Sequence, residues 1–131
     1  MKPIVGILAF ALLLAACEGA PGPAPLELTG VDSGRTVAVQ PGQRVRITLE
    51  SNASTGYRWR LTAKPDSVVL KLVSREYVEP ETSTTVVGAP GSEIWQFEAA
   101  ARGVTSLELS YLRPFEPEQA AGSFTLNVEV E

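Results

Sequence analysis

The chain has 131 residues, with 11 lysines and arginines against 15 aspartates and glutamates, no histidine and one cysteine. An acidic balance with only scattered arginines argues against nucleic acid as a partner. Without histidine no Ser/His or Cys/His catalytic arrangement can be assembled, and one cysteine allows no internal disulfide and no Cys/His metal site.

The first sixteen residues read as a targeting segment. Lys2 supplies a positive start, residues 4–14 are an unbroken run of apolar residues and glycine, and Leu14-Ala15-Ala16-Cys17 closes it. The run is short for a bilayer span, which needs roughly 20 apolar residues. Small residues followed directly by the chain's one cysteine resemble a bacterial lipoprotein signal, which implies cleavage after Ala16 and lipidation of Cys17. That places the protein in the bacterial cell envelope, anchored in a membrane through Cys17, on the periplasmic side or in the outer membrane. Glu18 is not the aspartate associated with inner-membrane retention. Residues 17–25, rich in proline and glycine, then form a tether, whose prolines favour extended geometry of about 3.1 Å per residue.

From Leu26 to Glu131 the pattern has period two. Val45, Ile47 and Leu49 alternate with Arg44, Arg46, Thr48 and Glu50; Tyr57, Trp59 and Leu61 alternate with Arg58, Arg60 and Thr62. Residues 68–78 are longer and mixed, predicting a strand that bends and exchanges partners. Trp95, Phe97 and Ala99 alternate with Gln96 and Glu98, then Leu107, Leu109 and Tyr111 with Glu108 and Ser110. Phe124, Leu126, Val128 and Val130 close the series. Each segment buries one face and wets the other, the behaviour of antiparallel sheets. Gln40-Pro41-Gly42-Gln43 marks a turn after Val37-Ala38-Val39, and Arg102-Gly103 predicts a short hairpin between the Trp95 and Leu107 strands. Seven to eight short strands predict an all-β, immunoglobulin-like antiparallel β-sandwich over residues 26–131.

Three connections stand out. In Asn52-Ala53-Ser54-Thr55-Gly56-Tyr57, asparagine and serine can bond the following backbone, and Gly56 permits positive φ before the next strand. Gly88-Ala89-Pro90-Gly91 combines two permissive glycines with a stiffening proline. In Arg113-Pro114-Phe115-Glu116-Pro117 the prolines restrict φ, so little entropy is lost on docking. Phe115 is there either an aromatic presented from a loop tip or a side chain folded back onto the core.

In this order the three segments resemble those of the chagasin family of cysteine-peptidase inhibitors. Residues 52–57 look like the family's Asn-Pro-Thr-Thr-Gly-Tyr/Phe loop, with Ala53 where proline is usual. Residues 88–91, leading to Trp95, look like its glycine-rich loop, with Pro90 replacing a glycine. Arg113-Pro114-Phe115 looks like its Arg-Pro-Trp loop, with phenylalanine in place of tryptophan. The resemblance implies that Asn52, Ser54, Thr55, Gly56, Tyr57, Gly88, Pro90, Gly91, Arg113, Pro114 and Phe115 meet a papain-like cysteine peptidase. It implies a monomeric, reversible inhibitor that blocks the catalytic cleft, with no catalytic residue and no cofactor. The alternative is a non-inhibitory envelope lipoprotein module of the same fold that binds another surface protein.

Overall fold

A computed structural model describes residues 22–80 and 90–131. The targeting segment, Cys17 and Gly88 lie outside the described residues. The described chain forms eight strands: β1 (Leu26–Thr29), β2 (Arg35–Val39), β3 (Arg44–Ser51), β4 (Arg58–Ala63), β5 (Leu70–Val78), β6 (Gly91–Ala99), β7 (Gly103–Leu112) and β8 (Gly122–Val130). They make two four-stranded sheets, ordered β1-β3-β6-β5 and β2-β8-β7-β4.

The sheets bury their facing sides against each other, and the period-two segments supply the core. Val45, Ile47 and Leu49 of β3 meet Trp95, Phe97 and Ala99 of β6 within one sheet. Leu107 and Leu109 of β7 and Phe124, Leu126, Val128 and Val130 of β8 line the other. The result is the expected all-β sandwich.

Two pairings depart from purely antiparallel order. β1 runs parallel to β3, and β2 parallel to β8, each at the edge of its sheet. After β1 the chain makes a 3-10 turn over Gly30–Asp32 and crosses to the opposite sheet at Gly34, whose φ is 86°. Alternation reports which face is wet, and a one-sided edge strand alternates whichever way it points.

The turn signals also mark strand ends without naming the next partner. Arg102-Gly103 leads from β6 in one sheet to β7 in the other, so it is a crossover instead of the expected hairpin. Its neighbourhood explains why: Ala99 exchanges both backbone hydrogen bonds with the turn at Gly42 and Gln43, and Ala100 N donates to Val69 O. A Cβ at Gly103 would lie 2.8 Å from a Val69 methyl, so the chain passes close beneath that side chain. The strand predicted over 68–78 bends at an irregularity between Leu72 and Ser74 but keeps β6 as its partner throughout. As an edge strand it has no second neighbour to exchange for, and Leu72, Val73 and Tyr77 stay partly exposed.

Candidate functional site

Strand register brings four connections to one end of the sandwich, the short one at 30–34 between β1 and β2, which pair in parallel with β3 and β8, and three others. Ser51, last in β3, pairs with Gly91, first in β6, and Val78, last in β5, pairs with Ser92. In the other sheet Arg58, first in β4, pairs with Leu112, last in β7, while Gly122 opens β8 opposite Tyr111. Residues 52–57, 79–90 and 113–121 therefore all depart from the same rim.

The two sheets are fastened at this rim by polar groups on aromatic side chains. Asn52 N donates to the Tyr111 hydroxyl at 2.8 Å, and Trp59 Nε1 donates to Glu50 O at 2.9 Å. Trp59 and Tyr111 stack with centroids 5.0 Å apart, and the Tyr57 and Tyr111 centroids lie 5.2 Å apart with their planes tilted by 34°. Tyrosine and tryptophan suit this place because the ring buries apolar area while the OH or N–H still reaches a backbone partner.

Residues 52–57 form a self-bonded loop around a 3-10 turn at Ala53–Thr55. Asn52 Oδ1 accepts from Ser54 N (3.2 Å) and Ser54 Oγ (2.6 Å), and Thr55 Oγ1 donates to Asn52 O at 2.7 Å. Gly56 closes the turn in the left-handed region, with φ 82°. Short polar side chains bonding backbone two or three residues away make this turn local and compact. Ala53, Ser54 and Thr55 remain exposed at its crest.

Arg113 joins this loop to the 113–121 connection. Its Nε donates to Thr55 O at 3.1 Å, its guanidinium carbon sits 4.4 Å from the Tyr57 ring centroid, and Glu116 Oε2 lies 3.7 Å from Nη1. A planar guanidinium can stack and donate in its own plane at once, which lysine cannot do. Arg113 is thus a presented loop residue, as its sequence context implies, and also a bridge between two of the loops. Phe115, by contrast, is 72% exposed, so it is displayed from the loop and not folded onto the core. Pro114 next to it is exposed as well.

The 79–90 connection is described only at its end. Pro90 is exposed, while Gly91 is a buried strand residue. A side chain at Gly91 would run into the Val78 carbonyl and the Tyr77 ring, so the close approach it allows is to β5 of its own sheet.

One residue of the rim escaped sequence reading. Glu93, 3% exposed, accepts from Ser51 Oγ and Trp59 N through Oε2, both at 2.9 Å, and pairs with Arg75 through Oε1. Its signal was parity: it shares the inward face with Trp95, Phe97 and Ala99, where a carboxylate needs partners.

Comparison with known proteins agrees with this architecture. Chagasin of Trypanosoma cruzi is 29% identical over 104 residues, covering 76% of this chain and 93% of that protein. The crystal structure of the cysteine protease inhibitor EhICP2 from Entamoeba histolytica superposes with a TM-score of 0.76 at 25% identity, over 86% of this chain and 100% of that one. PbICP-C, solved in complex with falcipain-2, shares the fold with a TM-score of 0.60 at 22% identity, over 82% of this chain and 92% of that one. The profile of the chagasin family peptidase inhibitor I42 matches residues 38–130, from β2 through the end of β8, and the chain belongs to that family.

Proposed function

We propose that this protein is a reversible inhibitor of papain-like cysteine peptidases that occludes the active-site cleft with three loops, and that it is not itself an enzyme. The observation that carries the reading is the common rim: the connections at 52–57, 79–90 and 113–121 leave one end of the sandwich, and Arg113 ties the 52–57 loop to the 113–121 connection at 3.1 Å. Family membership supplies the class of target.

In this reading Ser54 and Thr55 enter the cleft at the crest of their loop, with Gly56 permitting the tight return. Asn52 and Tyr57 brace that loop from within. Residues 88–91, with Pro90 at the described edge, line one flank. Pro114 and Phe115 line the other, where the exposed ring stacks on aromatic side chains of the enzyme. A standard interface buries about 800 Å² per partner, and loops already ordered before contact lose little entropy on docking. Residues 1–16 act as a lipoprotein signal and Cys17 as the lipid anchor, holding a monomeric inhibitor at the envelope membrane.

Titrating papain with the purified protein tests the inhibitory role. The expected result is stoichiometric inhibition that reverses on dilution. Full papain activity at micromolar protein would instead leave a non-inhibitory envelope module of this fold. Substituting Cys17→Ser should move the protein from the membrane fraction to the soluble one; unchanged fractionation would refute the anchor.

A further inference from the structure

Glu93 lies on β6 between the two sheets, at the rim end of the core face. A carboxylate removed from water is costly unless each oxygen finds donors. Here both do. Oε2 takes the Ser51 hydroxyl and the Trp59 backbone N–H, each at 2.9 Å, and Oε1 takes Arg75 Nε at 3.2 Å and Nη2 at 2.9 Å.

The positions of these partners give the carboxylate a role. Ser51 immediately precedes the 52–57 loop, and Trp59 follows it by two residues. Ser51 ends a strand of one sheet, whereas Trp59 belongs to β4, the outer strand of the other. One oxygen atom therefore holds the two ends of a loop that spans the sandwich. Arg75 comes from β5, the strand that runs into the 79–90 connection, and its guanidinium also lies 4.9 Å from the Trp95 ring centroid. The bases of two rim connections thus meet on a single side chain, and Arg113 secures the first of them again at its crest.

We propose that Glu93 is the positioning residue of the rim: its carboxylate sets the separation and angle of Ser51 and Trp59, and so the shape in which the 52–57 loop is offered. It touches no peptidase itself. The effect on inhibition rests on the function proposed above; the effect on the loop does not.

Glu93→Gln has nearly the same shape and tests the charge. Whichever way the amide turns, its NH2 group faces a group that can only donate, either the Arg75 guanidinium or the Trp59 N–H, so at least one bond is lost. Ser51→Ala removes a single anchor and leaves the carboxylate in place, a milder probe should the first variant fold poorly.

Amide hydrogen exchange of the free protein is the primary readout. Glu93→Gln is expected to speed exchange at residues 52–59, with little change in the turns at 40–43 and 100–103 at the far end. Ser51→Ala should do the same more weakly. Against papain, Glu93→Gln should weaken inhibition by about tenfold or more, the loss expected of a hydrogen bond to a charged group. Uniformly faster exchange, or none at residues 52–59, would overturn the positioning role. So would unchanged inhibition alongside an unchanged loop. If the parent protein fails to inhibit papain, the functional reading falls, and the exchange pattern still decides the role of Glu93.

Discussion

Replacing Arg113 separates a rim held together from within from loops that only happen to lie near one another. Four contacts are lost in Arg113→Ala: the Nε bond to Thr55 O, the stacking over Tyr57, a looser approach to the Phe115 ring at 5.8 Å and the pair with Glu116. A hydrogen bond from a charged donor contributes about 1.5–3 kcal/mol when desolvated. The Arg113 side chain is about one-third exposed, which places this bond at the low end. Stacking on the half-buried Tyr57 ring adds about 0.5–1 kcal/mol. The pair with Glu116, at 3.7 Å and partly solvated, adds close to nothing. The expected loss is about 2 kcal/mol, or roughly 30-fold in the inhibition constant. Because the contacts are internal, amide exchange at residues 55–57 of the free protein should quicken as well. Arg113→Lys keeps the charge but cannot stack and donate in one plane, so it should sit nearer to alanine than to arginine. A lysine variant equal to the parent in both measurements would refute the bridging role. So would weakened inhibition with an unchanged loop, since Arg113 would then act on the partner alone.

The other expectations separate stability from binding. Phe115→Ala should leave thermal stability within about 0.5 kcal/mol, since the ring is displayed to solvent, yet weaken inhibition by about 2 kcal/mol or more if it is a binding hot spot; a melting shift without loss of inhibition would contradict this. At Gly56 an added Cβ meets no atom within 4 Å, so Gly56→Ala should destabilise through its φ of 82° alone, by about 1 kcal/mol in denaturant titration. Asp32 accepts from Thr29 N and from Arg35, and these bonds hold its carboxyl below its ordinary value of 3.8. The stabilisation is therefore present at neutral pH and lost as pH falls through the lowered native value. Melting curves of the parent and Asp32→Asn should differ at pH 7 and converge in strong acid; a gap that widened in acid would reverse the sign.

The core was the most legible part of the fold, because burial of one strand face imposes a spacing visible in the chain itself. Val45, Ile47 and Leu49 are all buried, as are Leu107 and Leu109. Strand partnership was less legible. Gln40-Pro41-Gly42-Gln43 and Arg102-Gly103 signal that the chain turns, but not that each turn carries it from one sheet to the other. Direction at the edges was hidden for a similar reason, since β1 and β2 alternate as antiparallel strands do. At the rim, Asn52, Ser54 and Gly56 stood out because local turn chemistry favours those residue types, but Ser54 Oγ bonds the Asn52 side chain and the hydroxyl bond to backbone is made by Thr55. Arg113 was visible as a loop residue, but its reach to Thr55, 58 positions earlier, depends on tertiary packing. Glu93 lies between the 88–91 segment and the alternation that starts at Trp95, so neither signal takes it in. Only its parity with Trp95 and Phe97 hinted that it faces inward.

The arrangement at this rim can be tested by recording the backbone amide spectrum of the protein with and without papain whose catalytic thiol is blocked by a small reversible group. Perturbations should concentrate at residues 52–57, 90–91 and 113–116, sparing the turns at 40–43 and 100–103 on the far end. Shifts centred on those far turns, or spread along the exposed sheet faces, would contradict an inhibitor that works through one end of its sandwich.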